Sequence, residues 1–200
     1  MRSNENAISP QSRVFRSLAS LRGAGTVLLL AFFAALAVPT QLRAESPLQR
    51  EYEIKAAYLY NFINYIEWPE NAFPAPGGTI VVGVVGESPF GAALQVLNGK
   101  QIKGRTVTLK QIEDIKDLDQ CQIVFINSSE KARLPELLGK LKESRVLTVS
   151  EIDGFAQDGG IINFISEHNK VRFEINPDAA RRLGLNISSE LLKLAKVVKS

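Results

Sequence analysis

"TIVVGVVGESPFGAALQVLNG", residues 79–99, begins with a continuous run rich in β-branched residues. Such a run, without polar alternation, reads as a strand covered on both faces. Ser88 and Pro89 follow as a helix N-cap and a proline at the first helical position, predicting a helix through "FGAALQVLNG" that closes at Gly99. The glycines at 83, 86 and 91 do not have the G-x-G-x-x-G spacing of a dinucleotide site. They read as a tight strand-to-helix turn, in a setting that could also hold an anion.

The same alternation continues downstream. "KGRTVTLKQI" (103–112) alternates as a strand, and "QIVFIN" (122–127) reads as a second buried one. Ser129 is expected to cap a helix running to about Lys142, and "RVLTVS" (145–150) is a further strand. Strands alternating with helices imply a mostly parallel sheet with helices on both faces. "GGIINFIS" and "KVRFEIN" then flank the turn-like "EHNK" (167–170), which predicts a β-hairpin. If residue 166 faces 171, Phe164 faces Phe173 and Ile162 faces Ile175, while Asn163, Arg172 and Glu174 share the opposite side. Asn176-Pro177 caps a short helix closed at Gly184. Ser188 starts a last helix with Leu191, Leu194, Ala195 and Val198 at helical spacing. The expected fold is α/β: a single domain with a mostly parallel sheet flanked by helices, a C-terminal β-hairpin and two closing helices.

Upstream, "YEIKAAYLYNFINYIEWP" (52–69) predicts an aromatic-rich helix stopped by Trp68-Pro69. At about 100° per residue, Ile54, Tyr65, Tyr58, Phe62, Ile66, Leu59, Tyr52 and Ile63 fall on one half of the circumference. Lys55 is the one charge inside that apolar arc. Glu53, Asn64, Glu67 and Tyr60 fall on the other half. Most of the rings are thereby assigned to packing, and Tyr60 is the ring that packing does not explain. A membrane-surface helix would carry Lys and Arg on its polar face, whereas this one carries glutamates.

Before that helix lie Arg13, Arg16, Arg22 and the uncharged run "GAGTVLLLAFFAALAV" (23–38). A basic region, a short apolar region and a small residue at the cut describe a secretory signal peptide, with cleavage expected after Ala44. The run is short of the ~20 residues a membrane span needs. The expected organisation is therefore a signal peptide at 1–44 and an exported domain at 45–200. The whole chain has 24 basic and 21 acidic residues; residues 1–44 hold five of the arginines and one of the glutamates, leaving 19 basic against 20 acidic beyond them. The basicity belongs to the export signal, so it points to neither nucleic acid nor anionic lipid.

Chemistry-bearing residues are sparse. The chain has one cysteine and one histidine, so neither a zinc or iron cluster nor a Cys-His arrangement is expected, and no cofactor is assigned. Cys121, inside the buried "CQIVFINS", reads as a small core hydrophobe in preference to a redox group. His168 sits in the hairpin turn. Asp114, Asp117 and Asp119 read as a solvated loop. No catalytic residue is expected, and the remaining candidates for binding a partner or ligand are Tyr60, Trp68, Asn163, Arg172 and Glu174.

Several stretches together resemble the YfiR family of exported bacterial proteins: "KAAYLYNFINYIEWP", "VVGESPFG", "GKQIKGRTV", "CQIVFINSSE", "VLTVSEIDGFAQDGGIINF" and "KVRFEINPDAARRLGLNISSELLKLAKVV". They span essentially all of residues 52–198 in the family's order. The resemblance implies a periplasmic repressor that binds the periplasmic part of an inner-membrane diguanylate cyclase, lowering cyclic di-GMP and biofilm formation. It also implies an outer-membrane lipoprotein as a sequestering partner. The family's control by disulfide reduction does not carry over to a chain with Cys121 alone. The alternative is a periplasmic small-molecule-binding sensor acting on another membrane signalling protein, and a homodimer is left open.

Overall fold

The computed structural model describes residues 46–73 and 77–199; the expected export segment lies outside the described residues. The first helix, α1 (Pro47–Tyr65), starts where Ser46 accepts the Gln49 N–H at 3.1 Å and Pro47 takes the first helical position. Ile66 is already extended, so the helix ends two residues before the expected Glu67. Ile66–Glu67 forms β1, paired antiparallel with the distant β9 (Asn186–Ile187), Ile66 opposite Ile187 and Glu67 opposite Asn186.

The remaining strands are β2 (Ile80–Val85), β3 (Gln101–Ile102), β4 (Arg105–Ile112), β5 (Ile123–Ile126), β6 (Leu147–Ser150), β7 (Ile162–Glu167), β8 (Lys170–Ile175) and β10 (Lys196–Val197). Among the described residues they form one sheet in the order β10-β8-β7-β6-β5-β2-β4-β3. All neighbours are parallel except β7 with β8 and β3 with β4. The further α-helices are α2 (Leu134–Leu141), α3 (Pro177–Arg182) and α4 (Ser189–Leu194).

The sheet is buried on both sides, as its β-branched strands require. On one face Ile80, Val82, Ile123, Phe125, Val149 and Phe164 pack against Leu59, Phe62 and Ile63 of α1. On the other, Val85, Val124 and Ile126 pack against Leu134, Leu137 and Leu141 of α2 and against Phe155. The hairpin has the register read from the sequence, with Ser166 opposite Val171, Phe164 opposite Phe173 and Asn163 opposite Glu174. Its turn is His168-Asn169, both with positive φ (50° and 58°), the requirement of a type I′ turn that matches strand twist.

Three helical expectations are corrected. Residues 90–99 form only a 3-10 helix at Ala93–Leu97. Its three-residue period brings Leu94 and Leu97 together into the core. Asn127, not Ser129, caps the segment after β5, accepting the Ser129 N–H at 2.8 Å. A 3-10 helix spans Ser128–Arg133 and the α-helix starts only at Leu134. Pro135 decides this, because proline is tolerated in the first turn of an α-helix but not in its interior. The last helix stops at Leu194, and Ala195 turns extended. The chain then joins the open edge of β8, with the Val198 N–H donating to Ile175 O at 2.9 Å. Leu191 is buried as expected, but Leu194 is exposed.

At the end of β2, Gly86 has φ 83° and a Cβ there would lie 2.6 Å from Ser129 Oγ, so the strand-to-turn junction needs glycine. Cys121 is a free, buried thiol in the face that also holds Ile112 and Leu118. Burial pushes its pKa up to about 11 from 9.0, so it carries little thiolate at neutral pH. Iodoacetamide at pH 7.5 is expected to label Cys121 slowly in the folded protein and rapidly in urea. Because the folded thiol is the weaker acid, its contribution to stability is complete below pH 9 and declines as pH rises toward about 11. Fast labelling of the native protein would contradict a packed Cys121.

Candidate functional site: a groove at the carboxyl ends of the strands

From β2 the chain moves to β4 on one side, then returns past β2 to β5 on the other. In open parallel sheets such a reversal leaves a crevice beyond the carboxyl ends of the strands, which connecting helices do not fill. A groove of about 1340 Å³ lies at this end of the sheet, on the β5 side of the reversal, with Ser128 just after β5 in its lining. It continues past Glu151 and Asp153 after β6, with α1 as one wall and the β7–β8 hairpin as the other.

A polar cluster lies in this groove. Lys55, only 5% exposed, projects from α1 into the domain. Its Nζ is 2.6 Å from Glu151 Oε2 and 2.6 Å from Glu51 Oε1. The Tyr52 hydroxyl donates to the Glu151 carboxylate (3.1 and 3.2 Å), and Asn127 Nδ2 approaches Glu151 Oε1 at 3.5 Å. Burial first, then the Glu151 charge, holds the Tyr52 phenol protonated far above its ordinary range. The ammonium of Lys55 also stands 4.4 Å from the centre of the Tyr52 ring, a favourable cation–π position. Two carboxylates and a ring thus meet one buried cation, and Lys55 and Glu151 fix α1 to the end of β6.

Apolar surface adjoins this cluster, from Ile54, Tyr58, Phe164 and Val171. At the rim Arg50, Lys170 and Arg172 are exposed, and none makes an ion pair among the described residues. No group of three or more His, Cys, Asp or Glu able to hold a metal occurs among the described residues. The arrangement offers recognition: a charged, hydrogen-bonding floor, aromatic walls and free cations.

A family model described as YfiR/HmsC-like matches residues 52–196. The chain belongs to the YfiR/HmsC-like family. No curated protein matches the chain. Two solved structures are similar to part of this chain. One is the ABC domain in complex with L-Trp from Streptococcus pneumonia, at 13% identity and TM-score 0.46, over 76% of this chain and 60% of that one. The other is a conserved domain protein from Vibrio cholerae o1 biovar eltor, at 10% identity and TM-score 0.48, over 74% of this chain and 60% of that one. The chain therefore spans about three fifths of each of those structures. Among the described residues no helix is long and apolar enough to cross a membrane.

Within this YfiR/HmsC-like domain the candidate residues read from the sequence are dispersed. Arg172 alone lines the groove. Tyr60 is exposed on α1 away from it, and so is Tyr65, which helical spacing had assigned to the apolar arc. Trp68 is half-buried, its indole N–H donating to Gln122 O at 3.3 Å and its ring set edge-on to Phe73. Asn163 and Glu174 are buried on the sheet. Glu174 pairs with Lys196 at 2.9 Å and accepts from Gln157 at 3.3 Å, so it does not pair with Arg172. Asn163 Oδ1 has no hydrogen-bond partner among the described residues.

Tyr52, Lys55 and Glu151 were not among the sequence candidates. The signal for Lys55 was its place as a lone charge in an apolar arc, since a charge is buried only when paired. The signal for Glu151 was its position immediately after a buried parallel strand.

Proposed function

We propose that this protein is exported, with residues 1–44 removed, and binds the periplasmic part of an inner-membrane diguanylate cyclase to hold it inactive. Lower cyclic di-GMP and less biofilm follow from that inhibition. An outer-membrane lipoprotein that sequesters the repressor belongs to the same proposal. What carries this reading is an open groove with aromatic walls and three unpaired rim cations, in a chain of the YfiR/HmsC-like family. A second reading, a sensor domain that binds a small molecule, is favoured by the converging polar groups of Tyr52, Lys55 and Glu151 beside apolar walls.

Co-expression with a membrane diguanylate cyclase tests the first reading. Cyclic di-GMP is expected to fall when the protein is present, and intact mass of the periplasmic form is expected to correspond to a chain starting near Glu45. Exposed aromatics are common binding anchors, and truncation of one can cost ~2 kcal/mol or more of binding. Arg172→Ala, on the groove rim, and Tyr60→Ala, on the exposed side of α1 outside the groove, are each expected to raise cyclic di-GMP without changing the melting temperature. Full repression by both variants would place the contact elsewhere, and unchanged cyclic di-GMP with the wild type would remove the repressor reading.

A further inference from the structure

The rim cations of the groove have no internal explanation. Arg50 stands on the first turn of α1, and Lys170 and Arg172 stand on β8. Glu167 is directly opposite Lys170 in the hairpin register, yet no ion pair joins them. Of the groove's carboxylates, Glu51 and Glu151 are both engaged by Lys55, leaving Asp153 as the unpaired acid. The groove's lining carries four cations (Arg50, Lys55, Lys170 and Arg172) against three carboxylates (Glu51, Glu151 and Asp153), with the three cations not held by an ion pair gathered at its rim.

Size and shape narrow the occupant further. Pockets for small ligands occupy about 300–1,000 Å³ and enclose most of the ligand. This groove, at about 1340 Å³, exceeds that range. It runs from the start of α1 to the hairpin turn at Asn169. Ile54 and Tyr58 offer half-exposed apolar surface along it.

We infer that the groove binds an extended acidic segment of a protein partner, its carboxylates on Arg50, Lys170 and Arg172 and an apolar or aromatic side chain against Tyr58 and Ile54. The inference deepens the regulatory reading above and rests on it. Rim charges of this kind set encounter rate and partner choice, and are sensitive to salt.

The probe is a fluorescent random copolymer of glutamate and tyrosine, titrated with the purified protein by anisotropy. The wild type is expected to bind it, more weakly as salt rises, and to ignore a copolymer of lysine and tyrosine. The variant R50E/K170E/R172E is expected to lose about tenfold or more in affinity while its melting temperature stays with the wild type. Equal affinity of the variant, or equal binding of both copolymers, would overturn the inference. So would displacement of the copolymer by free glutamate, which would reassign the groove to a small carboxylate. Charge-dependent binding to phosphatidylglycerol vesicles with none to the copolymer would reassign it to a membrane surface. Groove-dependent copolymer binding by a protein that never alters cyclic di-GMP would sink the regulatory reading alone. Repression with a copolymer affinity independent of the three cations would sink the groove inference alone.

Discussion

Phe62→Ala is expected to destabilise the domain by about 3–5 kcal/mol, the cost of emptying a large aromatic site in a packed core. Phe62 is fully buried between α1 and the sheet. Its ring lies 5.8 Å from Phe164, 5.3 Å from Phe173 and 6.1 Å from Tyr58. Two of these neighbours come from the hairpin, so truncation loosens α1 and the β7–β8 pair together. Urea unfolding followed by circular dichroism measures the loss. Tyr60, two residues away and 38% exposed, is the control, and Tyr60→Ala is expected to stay within about 0.5 kcal/mol of wild type. Equal stabilities for the two variants would mean that α1 does not hold the sheet through this face.

Glu151→Leu is expected to cost about 3 kcal/mol, because removing one member of a buried pair strands the other. Lys55 would keep only Glu51, whose side chain is 42% exposed. Tyr52 would lose the acceptor of its hydroxyl. Lys55→Met is expected to fall in the same range, leaving Glu151 with Tyr52 and Asn127 alone. Lys55→Met/Glu151→Leu is expected to recover much of both losses, since apolar replacements of a whole buried pair are often close to neutral. The same unfolding measurement, arranged as a double-mutant cycle, gives the coupling energy. Additive losses in the double variant would show that the two side chains act independently.

What was legible in the chain differs from element to element. "TIVVGVVG" specified a buried strand because a β-branched run without alternation suits a sheet covered on both sides, and Ile80–Val85 is β2, an interior strand between β5 and β4. The hairpin register followed from two-residue alternation, since a slip by one would have turned Phe164 and Phe173 to the wrong face. Asn176 capped α3 as read, accepting the Ala179 N–H at 2.9 Å, because a cap is satisfied within four residues.

Tertiary structure decided the rest. Ile66 sits in β1 and not in α1 because Ile187 is opposite it, a partner that no local window contains. Residues 196–197 leave the helical pattern because β8 has an open edge beside them. The groove is of the same kind. Lys55 and Glu151 are 96 residues apart, and only the packing of α1 across the carboxyl ends of β5, β6 and β7 brings them to 2.6 Å. Local propensity and periodicity act over a few residues and can be read in order along the chain. Charge pairing and groove formation depend on distances that exist only after the sheet has formed and α1 has packed on it.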